Sequence, residues 1–234
     1  MKLKLPKCSA SRFATSALCC LFLFSIATLA GPPLVCHVFD IGSAKSLPWF
    51  SNNWNLTGTE SYDTKNLATD TIAILNADPT VLVHMETLRR ATLYARKNPT
   101  PAKELLTKLM ARAEAAGGSK QAAMANFDAG YLAEAYKQWF GKDEPNPAQG
   151  LDGYALVRKA LQVRTDDAQM NFAAALIALQ GPESDRRIYA EKAITGAKQD
   201  ALLARNLNAR FHGSENETMA DLVSWNLRTK VAAK

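Results

Sequence analysis

The sequence predicts an all-α fold of stacked antiparallel helix hairpins, an α-solenoid, with an extended arm at its N-terminus. The passage of 15 residues that begins at Ala160 is nearly repeated from Ala193, an offset of 33 residues. In the two copies Asp167 and Asp200 stand where the next helix must start, and small or apolar residues follow at helical spacing. Fixed periods of this length are typical of arrays in which each helix pair buries its apolar face by stacking on its neighbours.

Residues 1–30 have the three parts of an export signal. Four basic residues lie near the start: Lys2, Lys4, Lys7 and Arg12. An apolar run from Ala17 to Leu29 follows, and Thr28 and Ala30 supply the small side chains that a signal peptidase needs. The run is shorter than the ~20 apolar residues that cross a bilayer. We therefore expect cleavage after Ala30 and a periplasmic or extracellular location.

Removing the signal changes the net charge of the protein. The full chain has 28 Lys and Arg against 22 Asp and Glu, but four of the basic residues and none of the acidic ones lie in 1–30. The net charge therefore falls from +6 to +2. The remaining basic pairs, such as Arg89-Arg90, are isolated and are interpreted as solvated helix faces. We expect no nucleic-acid binding, which requires a basic patch or stripe, and no membrane association after cleavage.

Residues 31–63 are predicted to form an extended arm. Pro32, Pro33 and Pro48 make a long regular helix improbable in this segment. Its apolar residues still need to be buried, so we expect the arm to lie along the helical-repeat domain, residues 64–234.

Four helices are predicted before the proline-rich segment. Their ends are indicated by Asp78-Pro79, a cap followed by proline, by Pro99, and by Gly117-Gly118. The predicted spans are about Thr64 to Asp78, Pro79 to about Lys97, Pro101 to Ala116, and Ser119 to Trp139.

Residues 141–150 interrupt the helical pattern, because Pro145 and Pro147 exclude a continuous helix. We predict a hinge or an exposed loop here. Five further helices are predicted beyond it: Tyr154 to Arg164, Ala168 to Leu179, Ser184 to Ala197, Ala201 to Phe211, and Thr218 to about Val231.

The passage from Tyr154 to Leu176 resembles the junction between two tetratricopeptide repeats. It has the second helix of one unit, a short acidic turn and the first helix of the next. Asn126 to Tyr136 is similar to the first helix of such a unit, in which Ala129 and Gly130 are the small residues that let the partner helix approach closely.

The resemblance covers about 64–232 and is strongest over 154–207. Thr165 and Lys198 depart from it, since the repeat usually has proline after its second helix. The resemblance implies a helical-repeat architecture. It also implies a role in binding peptides, carrying partner proteins or building assemblies.

Cys36-His37 is the pair of residues that most readily suggests chemistry. Cys8, Cys19 and Cys20 lie in the signal, so the mature chain has one cysteine and no internal disulfide. Cys36 could be a nucleophile, a metal ligand or a partner in an intermolecular disulfide. Alternatively it is a small apolar anchor for the arm. Adjacent residues of an extended chain face opposite sides, which disfavours direct cooperation of Cys36 with His37.

Asp40 is a third candidate for chemistry, although an aspartate that binds its own turn also explains it. Four aromatic residues flank the proline-rich segment and are candidate binding residues, with burial in the core as the alternative. They are Tyr131, Tyr136, Trp139 and Tyr154.

These patterns predict an exported scaffold that binds a protein or peptide, with the arm packed on or across its groove. The alternative is a redox or metal-dependent protein that uses Cys36 and His37. No haem-attachment, zinc-helix, phosphate-loop or hydrolase motif is present. We therefore expect no cofactor and no metal, and a binding role is favoured over an enzymatic one. The oligomeric state stays open.

Overall fold

Helices account for all the regular secondary structure in the part of the chain that the structure describes, which confirms the predicted all-α class. The structure is a computed structural model, and it describes residues 32–50, 56, 58–96, 98–117, 119–180 and 183–211. Eight α-helices and two short 3-10 helices lie in these ranges. The predicted signal peptide and the predicted helix over 218–231 lie outside the described residues.

The first four helices are separated by short connections. They are α1 (Leu67–Ala77), α2 (Val81–Ala95), α3 (Pro99–Ala115) and α4 (Lys120–Trp139). A 3-10 turn, Thr64–Asn66, leads into α1. The hydroxyl of Ser119 accepts a hydrogen bond from the N–H of Ala122 and so caps α4, as its position in the sequence predicts. Gly117 has a φ of +68°, the left-handed conformation that ends a helix.

The starts of α2 and α3 differ from the prediction. Pro79 does not begin α2; the carboxylate of Asp78 accepts a hydrogen bond of 2.8 Å from the N–H of Thr80 and holds this segment outside the helix. In contrast, α3 begins two residues early, at Pro99. The side chain of Asn98 caps it, and proline at the first helical position has no N–H to satisfy.

The second group of helices follows the proline-rich segment. They are α5 (Gly153–Val163), α6 (Ala168–Ile177), α7 (Glu183–Ala197) and α8 (Ala201–Phe211), with a 3-10 turn, Ala178–Gln180, after α6. Asp152, Asp167 and Asp200 each accept a hydrogen bond from the N–H three residues ahead. The two aspartates of the sequence repeat therefore act as helix caps.

The even-numbered helices form the centre of the protein. The helices α2, α4 and α6 contact one another, and α8 contacts α6. The odd-numbered helices lie against them, most extensively α5 against α4 and α7 against α6. Every residue from Met170 to Ile177 in α6 is buried, which the run Ala173–Ala175 permits because small side chains let neighbouring helices come close.

The contact between α4 and α5 depends on two glycines. A Cβ atom at Gly130 would lie 2.5 Å from the main-chain oxygen of Gly153, and one at Gly153 would lie 2.5 Å from the oxygen of Gly130. Neither distance leaves room for a side chain. Gly130 is one of the two small residues that the sequence assigns to such a close approach.

Residues 32–50 contain no helix and pack against the helical body. Leu34, Val35, Phe39 and Leu47 are buried in the core, so these apolar residues of the arm are shielded from water as expected. The proline-rich segment, 141–150, is made of turns and is mostly exposed. No described helix is long and apolar enough to cross a membrane.

Candidate functional site

The site is built around α2, which is enclosed on nearly all sides. Every residue from Val81 to Ala95 is buried except Arg90, which is half-buried. The enclosed residues include Glu86 and Arg89, both with 0 % of the side chain exposed. Charged groups at such positions need partners, because burying an isolated charge costs roughly several kcal/mol in folding free energy.

Glu86 is fully satisfied by groups from α2 and from the arm. Its two carboxylate oxygens accept hydrogen bonds from Arg89 at 2.8 and 3.0 Å and from Arg90 at 2.7 Å. The main-chain N–H of Phe39 donates a further bond of 2.9 Å. A carboxylate with four donors is a rigid anchor, so Glu86 fixes both arginines and one point of the arm.

The two arginines bind the main chain of the arm. Arg89 donates to the carbonyl of Val35 at 3.1 Å, and Arg90 donates to the carbonyl of Leu47 at 2.6 Å. Their guanidinium carbons lie 5.0 and 5.8 Å from the ring centroid of Trp49. Cation–π attraction therefore adds a side-chain contact to the two main-chain contacts.

Helices α4 and α8 hold the arm in the same way. The side chain of Gln138 accepts a hydrogen bond of 2.9 Å from the N–H of Leu34. Asn206 accepts from the N–H of Asp40 at 2.9 Å and donates to its carbonyl at 2.8 Å. We call the surface formed by the side chains that bind the arm's main chain the arm face. It consists of Glu86, Arg89, Arg90, Tyr94, Gln138 and Asn206.

The arm face is the part of the site that the sequence interpretation missed. The prediction of a solvated helix face for Arg89-Arg90 is wrong for Arg89, which is fully buried. The spacing of Glu86, three and four residues before the arginines, is the pattern of an ion pair along a helix. That pattern alone does not reveal whether the face is exposed or covered.

The candidates Cys36, His37 and Asp40 lie on the arm itself. Cys36 and His37 are half-buried and follow a turn in which the N–H of Cys36 donates to the carbonyl of Pro32. No group of three or more His, Cys, Asp or Glu side chains that could hold a metal ion occurs among the residues described. A role for Cys36 and His37 in redox or metal chemistry stays a prediction.

Asp40 binds its own turn and α8. Its carboxylate accepts hydrogen bonds from the N–H of Gly42 at 2.9 Å and from the guanidinium of Arg205 at 2.6 Å. The bond from Arg205, aided by the one from Gly42, outweighs partial burial and lowers the pKa of Asp40. A carboxylate held ionised in this way is a poor general acid, and its geometry suits attachment of the arm.

The four aromatic candidates separate into two pairs. Tyr131 and Tyr136 are fully buried, so neither offers surface to a partner in this structure. Trp139 is half-buried below the guanidinium of Arg96, at 5.1 Å, and the hydroxyl of Tyr154 donates to Asp185 at 2.8 Å. A binding role for Trp139 and Tyr154 stays a prediction.

A second feature is a pocket of about 750 Å³ at the ends of α1, α3 and α5 and the starts of α2, α4 and α6. His84 and Asp128 lie at its wall and are almost fully buried, with 2 % and 1 % of their side chains exposed. His84 Nδ1 lies 2.6 Å from Asp128 Oδ1, and His84 Nε2 lies 2.6 Å from the carbonyl oxygen of Asp78.

Both ring nitrogens of His84 are occupied. A carbonyl oxygen only accepts, so Nε2 carries a proton, and the other nitrogen faces a carboxylate. Burial of the ring opposes its charged form, but the charge and hydrogen bond of Asp128 and the carbonyl of Asp78 prevail and raise the pKa of His84. No ring nitrogen is left to take a proton from a ligand, so the His84 ring cannot serve as a general base in this arrangement.

Comparisons of this chain with protein-family models, with curated proteins and with solved structures found no match.

Proposed function

We propose that this protein is an exported helical-repeat scaffold that binds an extended segment of another protein on the arm face. In the structure the chain's own arm occupies that surface. The partner's segment would replace it and use the same hydrogen-bonding groups.

The helix neighbours support the repeat architecture within this proposal. We interpret α4 with α5, and α6 with α7, as antiparallel hairpins like those of tetratricopeptide repeats, stacked so that the even-numbered helices line one side. Contacts among α2, α4, α6 and α8 are those expected of such a row. The capping aspartates, Asp167 and Asp200, mark equivalent positions in two successive units.

The single observation that carries the binding proposal is recognition of main chain by side chains. Leu34, Val35, Phe39, Asp40 and Leu47 are all held through their backbone N–H or carbonyl groups. Such contacts do not depend on which side chains the bound segment carries. A surface of this kind therefore accepts extended peptides in general, while pockets for individual side chains provide selectivity.

The attachment of the arm at Asp40 offers a test. The variant Asp40→Ala removes the exposed ion pair with Arg205 and leaves the arm face intact. A fluorescent peptide of residues 32–50 should then bind the Asp40→Ala variant more tightly than it binds the wild type. In the wild type the tethered arm competes with the peptide at high effective concentration. Fluorescence anisotropy measures both affinities.

Arg205→Gln is the matched control. It breaks the same ion pair from the helix side, so it loosens the arm but also removes a contact to the added peptide. Its gain in affinity should be clearly smaller than that of Asp40→Ala. Equal affinity of wild type and Asp40→Ala for the peptide, or equal gains in both variants, would contradict an exchangeable arm.

A natural partner should respond to the 32–50 peptide and to Asp40→Ala as an occupant of the arm face would. A protein captured by the mature chain from its native extract should be released by an excess of the 32–50 peptide and captured in greater amount by Asp40→Ala. Capture that is insensitive to both changes would place the partner elsewhere and refute the arm face as the binding surface.

A further inference from the structure

The pocket beside His84 and Asp128 has properties of a binding site separate from the arm face. Its volume of about 750 Å³ lies within the range of roughly 300 to 1,000 Å³ that is usual for small-ligand sites. Its wall combines apolar side chains, among them Leu75, Met124 and Val163, with six aspartates and arginines. Two of those charged groups have hydrogen-bonding capacity that the described residues do not use.

The first is the guanidinium of Arg112 on α3. Its Nη2 donates to the side-chain oxygen of Asn76 at 2.7 Å. Its Nη1 is buried and has no hydrogen-bond partner among the described residues. Asn76 is neutral, so it does not balance the charge of Arg112. The group that would satisfy both the N–H and the charge is a carboxylate, with which arginine forms its strongest hydrogen bonds.

The second is the carboxylate of Asp128 on α4. Its Oδ1 is engaged by His84, but its Oδ2 is buried and has no hydrogen-bond partner in the part of the chain described. An oxygen of this kind accepts a hydrogen bond, and an ammonium group is a donor that also suits the several aspartates lining the pocket. Leaving such atoms unpaired is unfavourable, and more so for charged groups.

We propose that this pocket binds a small zwitterion, an amino acid or dipeptide, whose carboxylate accepts from Arg112 and whose ammonium group donates to Asp128. One molecule then supplies both missing partners and adds no net charge to the pocket. A neutral ligand of the same size would satisfy the hydrogen bonds but not the charge of Arg112.

The remaining charges favour a ligand with a basic side chain. Besides Asp128, three aspartates line the pocket: Asp78, Asp166 and Asp167. Arg164 forms an ion pair with Asp167, which is also the cap of α6. Asp166 is exposed and Asp78 bears no ion pair in the structure as described, so negative charge is in excess at the pocket's rim.

The probe for this proposal is the dipeptide Ala-Lys, and its control is the same dipeptide with an acetylated amino end and an amidated carboxyl end. Isothermal titration calorimetry of the mature chain should give saturable one-to-one binding of Ala-Lys and a loss of affinity of roughly tenfold or more for the blocked form. Ala-Glu should bind less tightly than Ala-Lys because of the acidic rim.

Two variants test the assigned contacts. Arg112→Gln removes the guanidinium at a half-buried position and should lower the affinity for Ala-Lys by roughly tenfold or more, and Asp128→Asn should do the same. The control is Arg187→Gln. Arg187 is an exposed residue of α7 outside the pocket, so this variant should bind Ala-Lys with unchanged affinity. Arg112→Gln keeps the test valid if Asp128→Asn fails to fold.

The outcomes are separate from those for the arm face. Asp40→Ala should not change the affinity for Ala-Lys, so each proposal can fail alone. Absence of saturable binding of Ala-Lys, equal binding of the blocked dipeptide, or full affinity in folded Arg112→Gln would each overturn the zwitterion site.

Discussion

The carboxylate of Glu86 accepts a hydrogen bond of 2.9 Å from the main-chain N–H of Phe39, 47 residues earlier in the chain. A fully buried acid in the central helix thus holds the N-terminal arm at its middle. The same carboxylate orients Arg89 and Arg90, which bind the arm on either side. Burial of the arm and burial of the three charged residues therefore depend on each other.

The first prediction concerns this anchor. Glu86→Gln removes the charge that compensates Arg89 and leaves a buried guanidinium unbalanced, so we expect the free energy of unfolding to fall by about 3 to 5 kcal/mol. Urea denaturation of residues 31–234, followed by circular dichroism, measures this change in the free energy of unfolding. Limited proteolysis should also cut the arm faster.

Glu104→Gln is the control for that measurement. Glu104 forms an exposed ion pair with Lys108 on α3, which is worth no more than about 0.5 kcal/mol. If Glu86→Gln destabilises the protein no more than Glu104→Gln does, the buried charges contribute nothing to stability and our account of the anchor is wrong.

The second prediction concerns the packing of α4 on α5. In a helix, alanine is favoured over glycine by about 1 kcal/mol, so propensity alone would make Gly130→Ala stabilising. The new Cβ would however lie 2.5 Å from the main-chain oxygen of Gly153, which cannot move without shifting α5. We expect overpacking to prevail, with a net loss of about 1 to 3 kcal/mol in unfolding free energy.

Gly141→Ala provides the matched comparison. Its nearest neighbour, the side chain of Glu144, lies 3.6 Å from the position of the added Cβ, an ordinary contact. We expect a change within about 0.5 kcal/mol by the same urea denaturation. A stabilised Gly130→Ala variant would show that the two helices are not in close contact.

The third prediction concerns pH. The raised pKa of His84 means that the folded protein holds a proton more tightly than the unfolded chain. The resulting stability is complete below the ordinary histidine pKa, about 6.5, and is lost as pH rises through the higher pKa of the folded state. Urea denaturation at a series of pH values should show this decline.

Asp128→Asn should abolish that decline. Without the carboxylate, burial is the main influence on His84 and lowers its pKa, so stability in this variant should not fall over the same interval of pH. An unchanged decline in Asp128→Asn would assign the effect to another group and contradict a proton shared by His84 and Asp128.

The fourth prediction separates the scaffold from its redox or metal-dependent alternative. Cys36→Ser should leave the affinity for the labelled 32–50 peptide unchanged, because the arm is held near this position by main-chain groups of Leu34 and Val35. If oxidants or chelators change this affinity, the change should likewise be the same in the wild type and in Cys36→Ser. A response that disappears with Cys36 would favour the alternative.

Local signals predicted the helices well. Ser119, Asp152, Asp167 and Asp200 precede helices and cap them, because a short polar side chain reaches the first unpaired N–H groups of its own helix. The error at Pro79 has a local cause too. Asp78 there binds the N–H of Thr80 and keeps the chain extended for two more residues.

The candidate site was predicted much less well. The sequence predicts an exposed Arg89 because nothing within one helix turn indicates that an arm covers it. Sequence spacing does not identify His84 as part of a site, because its partner Asp128 lies 44 residues ahead on another helix. Pairings over such distances depend on how helices pack.

The sequence by itself determined the all-α class, most helix ends and the lack of a helix in the described residues 32–50, since caps, prolines and apolar spacing act within a few residues. Only the tertiary structure decided which charges are buried and where the arm lies. The position of the arm depends on contacts between residues far apart in the sequence. Val35 and Arg89 are 54 residues apart, and Asp40 and Asn206 are 166 residues apart. The strength of these contacts comes from the exclusion of water when the helices assemble, which no local pattern records.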